Sequence, residues 1–175
     1  MKGQRRQGLA AVPNREVEGG SEREVAPRIR FCSHCGARPT DGAQELSTSS
    51  PGSRVCNSCS LGLLLETGAD VAPDEGAAFL VVDSSLSICA VSGEAEQVLA
   101  TREPDAVNRH ITELLAPADA EAQGPANLAV GITWAARGDS AERRVTVRPT
   151  NVFGVRLQAR IASCGPPQAA LLVFD

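Results

Sequence analysis

The chain has 175 residues, 42% of them apolar and 22% charged, with a net charge of −4, which suits one medium soluble domain or two small ones. Only Phe31, Phe79, Trp134, Phe153 and Phe174 are aromatic and there is no tyrosine, too few rings for a base-stacking platform or an aromatic cage. No apolar run approaches the ~18–20 residues that span a bilayer, and no apolar stretch follows the basic start as in a secretory signal, so a cytoplasmic protein without membrane contact is expected.

Residues 1–30 carry seven basic against four acidic side chains, whereas residues 31–72 sum to −2 and residues 73–175 to −5. Met1–Arg30 shows no apolar periodicity and reads as a disordered basic tail, unable to bury enough surface to offset its chain entropy. Attraction for nucleic acid would reside in that tail alone.

Residues 31–67 hold four of the six cysteines as Cys32-x2-Cys35 and Cys56-x2-Cys59, twenty residues apart. This is a four-thiolate zinc spacing: two intervening residues let one tight turn place both sulfurs on a single tetrahedral ion. Gly36 suits the backbone at the end of such a turn. A segment this small, with one Phe and a few Leu, needs a staple in place of a core. Disulfides are disfavoured in a reducing compartment. A redox reading of Arg54–Leu61 as a strand running into a helix lacks the βαβ scaffold it requires. His34, inside the first pair, is expected to be an exposed knuckle residue and not a ligand. Leu61, Leu64 and Leu65 share a helical face, predicting a helix after Cys59 that Gly68 ends.

With that helix, the strings Cys32-Ser-His-Cys35-Gly36 and Val55-Cys56-Asn57-Ser58-Cys59 resemble a treble-clef finger of the GATA type. The resemblance implies structural Zn2+ on Cys32, Cys35, Cys56 and Cys59. It does not extend to DNA contacts, since Ala37–Arg54 has no Trp and the expected helix carries Leu where a reader of DNA carries Arg, Lys or Asn. The finger is expected to dock a protein.

Gly68–Gly76 has the Gly, Pro and acidic residues of a linker, so residues 77–175 are expected to fold independently. Phe79–Asp83 and Leu86–Val91 read as a hairpin turned at Ser84-Ser85. Ser92 caps a helix over Gly93–Ala100. Pro104 starts a short helical stretch, continued over Asn108–Leu115 by Ile111, Leu114 and Leu115 and broken at Pro117. Pro125–Arg137 predicts a longer helix burying Leu128, Ile132 and Ala135. Trp134 points about 200° from Ile132, off the main stripe, and belongs either to the core or to an interface. Strands follow at Arg143–Arg148, Phe153–Ser163 and Ala169–Phe174, the last two turned by Gly165-Pro166-Pro167. Cys89 and Cys164 are expected as small buried hydrophobes.

The β-β-α-α-α-β-β-β order, with Phe79-Leu-Val-Val-Asp83, Ala95-Glu96-Gln-Val-Leu99 and Asn108-Arg-His-Ile-Thr-Glu-Leu-Leu115, resembles a PAS domain. Ala100 and Asn108 stand where that family often has Gly. The resemblance implies an α+β fold, a small zinc finger followed by a five-stranded antiparallel sheet with helices on one face; another α+β sheet fold, GAF- or profilin-like, is the alternative. PAS domains sense ligands, carry cofactors or dimerise. No Cys lies at the helix start that a photoreactive flavin site requires, and His110 lacks the setting of a heme ligand, so no cofactor beyond zinc is assigned and any small-molecule ligand is unknown. There is no kinase motif, nucleophile elbow or paired acid/base constellation. The whole reads as a non-enzymatic regulatory protein of the bacterial PAS sensor type, with a finger that docks a protein and a sheet domain that senses or forms a homodimer. The alternative is a zinc-dependent DNA-binding transcriptional regulator whose basic tail grips phosphate.

Overall fold

The computed structural model describes residues 27–39, 54–118 and 127–175. The disordered-tail reading of residues 1–26 lies outside them. Arg28–Arg30, assigned above to that tail, are instead part of a strand. β1 (Arg28–Cys32) pairs antiparallel with β2 (Leu64–Gly68), Phe31 opposite Leu65 and Cys32 opposite Leu64.

β2 replaces the helix predicted after Cys59. Its burial alternates, with Leu65 and Thr67 inside and Leu64 and Glu66 half-buried, which is the period of a strand. Leu61, one of the three leucines that suggested a helix, is exposed, as is Leu63 between them. Without that helix the treble-clef resemblance no longer describes the segment. The two Cys turns are instead joined to a two-stranded ribbon.

The remaining strands form one antiparallel sheet: β3 (Phe79–Val82), β4 (Ile88–Val91), β5 (Leu115–Pro117), β6 (Arg143–Pro149), β7 (Leu157–Cys164) and β8 (Ala169–Phe174), in the order β4-β3-β8-β7-β6-β5. Among the described residues this sheet has six strands where five are expected. The additional one, β5, comes from the stretch read as helix over 108–115. Asn108 sits at φ 68, outside the helical region, and leaves room for only a single 3-10 turn at Ile111–Glu113. Ile111, Leu114 and Leu115 are buried by that turn and the strand after it, a spacing that a helix would satisfy equally well.

The β3–β4 turn is closed by Asp83, whose Oδ1 accepts from the N–H groups of Ser85 and Ser87. Leu86 lies in this turn at φ 65, so β4 starts two residues later than expected. β7 likewise starts at Leu157, because residues 150–156 form a loop with Gly154 at φ 78 and Phe153 fully exposed.

Among the described residues there are three α-helices: α1 (Gly93–Leu99), α2 (Glu103–Ala106) and α3 (Leu128–Ala136). Ser92 caps α1 as expected, its hydroxyl accepting from Ala95 N–H. Asn127 caps α3 by accepting from Ala129 and Val130. Leu128, Ile132 and Ala135 of α3 pack with Leu80, Val82, Ile161 and Leu172 in the main core, on one face of the sheet.

The opposite face carries a second apolar cluster. Alternate residues of β3 and β8 (Phe79, Val81, Leu171, Val173) meet Phe31 and Leu65 of the ribbon. Phe31 stands edge-on to Phe79, with ring centroids 5.8 Å apart. Glu66 and Gly165 exchange two backbone hydrogen bonds, and the buried Thr67 hydroxyl donates to Ser163 O. Residues 68–76, expected as an open linker, hold Val71 and Ala72 buried. The ribbon and the sheet share a core.

Candidate metal centre

Each Cys pair lies in the same tight turn. Gly36 N–H donates to Cys32 O at 3.0 Å, and Ser60 N–H donates to Cys56 O at 2.9 Å. The residue after each pair is left-handed, Gly36 at φ 73 and Ser60 at φ 57. The turns leave amide hydrogens aimed at sulfur: His34 and Cys35 N–H toward Cys32 Sγ at 3.4 and 3.5 Å, and Gly62 N–H toward Cys59 Sγ at 3.5 Å. Such dipoles stabilise negative charge on a thiolate.

The turns are clasped face to face. Ser33 N–H donates to Leu63 O at 2.8 Å, and the Ser33 hydroxyl accepts from Leu63 N–H at 3.0 Å. A β-carbon at Gly62 would lie 2.4 Å from Cys32 Sγ and 2.8 Å from His34 N. Only glycine permits this approach. Neither Ser33 nor Gly62 was read from the sequence as part of the site; the Gly that follows the second pair by three residues was the available signal.

The result is four sulfurs within 4.8 Å of one another, on Cys32, Cys35, Cys56 and Cys59. Cys32 and Cys59 sulfurs are 3.6 Å apart and those of Cys35 and Cys56 3.9 Å. The edge of a tetrahedron with 2.3 Å metal–sulfur bonds is about 3.8 Å, so the cluster is compatible with a metal ion. Burial pushes the Cys32 thiol up to about 12, against its amide contacts, and raises Cys35 as well. At Cys59 burial also raises the thiol, but the Gly62 and Leu61 amides and the neighbouring sulfurs outweigh it and set it at about 6. A bound cation would override burial and deprotonate all four.

His34 is not exposed as expected. Its side chain is 24% exposed, with Nδ1 3.4 Å from Glu103 Oε2 but without hydrogen-bond geometry. His34 O accepts from Gly93 N–H at the start of α1, and Cys35 O accepts from Gly76 N–H. The first turn is thus tied to the sheet domain. His110 is exposed and caps the 3-10 turn, with Nδ1 2.7 Å from Thr112 Oγ1.

Of the two remaining cysteines, Cys164 is buried beneath the ribbon, as expected, but Cys89 is exposed. The β3–β4 register slips between Val81 and Val82, which leaves Cys89 outside the alternation that buries Ile88 and Ala90.

Among the described residues the exposed large apolar side chains are Val55, Leu61, Leu63, Trp134 and Phe153. Trp134 is 42% exposed, off the buried stripe of α3, with the Arg143 guanidinium 4.8 Å from its ring centre. Arg143 is in turn held by Asp139 at 2.7 Å. Among the described residues no helix is long and apolar enough to cross a membrane.

The chain matches no known protein family, and no curated protein matches it. Among solved structures it is similar to the PAS domain of nitrogen regulation protein NR(II) from Vibrio parahaemolyticus. That match has 17% identity and a TM-score of 0.40 and covers 57% of this chain and 86% of the other.

Proposed function

We propose that the chain is a non-enzymatic regulatory protein in which Cys32, Cys35, Cys56 and Cys59 hold one structural zinc ion and residues 77–175 act as a PAS-like sensing or dimerising module. The observation that carries the metal reading is the sulfur geometry: opposite edges of 3.6 and 3.9 Å bracket the edge of a zinc tetrathiolate. Four thiolates complete the coordination of zinc and leave no position for a substrate, which is the chemistry of a structural ion.

Two features support a protein partner over DNA. The second Cys turn presents Val55, Leu61 and Leu63 to solvent and runs into a strand, so it offers no helix for a major groove. Arg28 and Arg30 on the ribbon are both engaged by Glu66.

Elemental analysis of the reduced full chain tests the metal reading, with one zinc per chain expected and its loss on Cys56→Ser. A preparation free of zinc after growth in zinc-replete medium refutes it. A fluorescence titration with duplex DNA at two salt concentrations tests the partner reading. Tight binding that weakens steeply with salt would assign the chain to DNA.

A further inference from the structure

The ribbon is too small to hold itself together. It has two five-residue strands in a single pairing, and an isolated two-stranded sheet is marginal in water. β1 and β2 are joined through the Cys turns, which lie at one end of the ribbon. At that end the first Cys turn is also fastened to the sheet domain, through Gly93 N–H to His34 O at 3.2 Å and Gly76 N–H to Cys35 O at 3.3 Å. Elsewhere among the described residues the attachment includes the Glu66–Gly165 pair, the Thr67 hydroxyl, and the packing of Phe31 and Leu65 on the sheet. Phe31 is fully buried and adjoins Cys32 in sequence. Displacing the first Cys turn therefore pulls directly on the side chain that seats the ribbon.

We infer that the four-cysteine centre latches a removable cover over the outer face of the sheet, so that loss of the metal lifts the ribbon while the helix-covered core stays folded. This rests on the metal reading above. The two cores make the separation physical. Leu80, Val82, Ile132, Ile161 and Leu172 pack on the helical face, whereas Phe79, Val81, Leu171 and Val173 face the ribbon. Loss of the ribbon uncovers the second set and leaves the first intact.

The molecule contains its own reporter. Cys164 is 0% exposed within the ribbon-covered cluster, and burial pushes its thiol up to about 12. Cys89 is exposed and serves as a standard for an accessible thiol.

The experiment is N-ethylmaleimide labelling of the full chain, read residue by residue by peptide mass spectrometry, before and after zinc removal by EDTA. Before removal, labelling at Cys89 alone is expected. After it, the four ligand cysteines and Cys164 are labelled while a cooperative melt persists. Labelling of the four ligands with Cys164 still protected overturns the latch and leaves the metal reading standing. Labelling of Cys164 only with loss of the cooperative melt overturns it too, because the ribbon is then not a separate cover. A chain without zinc fails the earlier reading instead. As an independent arm, Phe31→Ala should keep its zinc yet label at Cys164 at least about tenfold faster, since truncating a buried Phe costs more than the roughly 1.4 kcal/mol that this factor represents. An unchanged rate in that variant also overturns the latch.

Discussion

Replacing Gly62 with alanine introduces a single methyl group where the two Cys turns meet. Its carbon would lie 2.4 Å from Cys32 Sγ and 2.8 Å from the backbone nitrogen of His34, against ordinary contacts that begin at 3.4 Å. The turns must therefore separate by roughly 1 Å, while metal–sulfur bonds tolerate only about 0.2 Å. Neither neighbour is the far end of a flexible side chain: one is the ligand sulfur itself and the other is backbone. The expected result is one ligand lost from four. Structural zinc in small domains is worth about 10–16 kcal/mol, so one ligand accounts for about 3–4 kcal/mol, or an affinity loss of roughly 10²–10³-fold. Competition against a chromophoric zinc chelator measures this directly. Gly93→Ala is the control, since a β-carbon there meets nothing within 4 Å, and its affinity should match the parent. Gly62→Ala binding zinc as tightly as the parent would refute the claim that close approach of the turns builds the site.

Ser60→Gly should stabilise the zinc-loaded chain by about 0.5–1 kcal/mol in denaturant unfolding, because Ser60 occupies the left-handed position that Gly36 fills in the other turn. Trp134→Ala should cost about 1–2 kcal/mol, the worth of its stacking on a largely buried Arg143; a loss of 3–5 kcal/mol would mark it as a core residue. Glu113 has its carboxyl held below the usual range by the Arg109 hydrogen bond first and then by the His110 amide. Its contribution is thus present above the unfolded-state value and fades as pH falls through the folded one. Glu113→Gln should remove that part of the acid dependence of the melting temperature and leave the alkaline side unchanged.

Features set by neighbouring residues were legible in the sequence. The Cys turns depend on two-residue spacings, the helix-capping bond of Ser92 spans only the three residues to Ala95, and the apolar runs of β3 and β8 announce strands buried on both faces. Where local pattern misled, two structures fit one spacing. The leucines at 61, 64 and 65 match a helical face, but burial of Leu65 and Thr67 against the sheet selects a strand. Ile111, Leu114 and Leu115 are likewise buried by a 3-10 turn and β5, whose pairing with β6 joins Leu115 to Pro149. The seating of the ribbon was not legible at all. It depends on Phe31 meeting Phe79 across 48 residues of chain, and nothing near either ring signals the contact.

The position of β8 bears on the order of assembly. It lies between β3 and β7, and its register sets Phe79 opposite Val173, about ninety residues apart. Until residues 169–174 emerge from the ribosome, β3 has only the short β4 as a partner, and the uncharged stretch Phe79–Val82 presents an open edge. Pairings this distant in sequence form late, and an apolar strand waiting for its neighbour is the segment most prone to stray association. A nascent chain that stalls before Ala169 should therefore depend on chaperones far more than one that has passed Phe174.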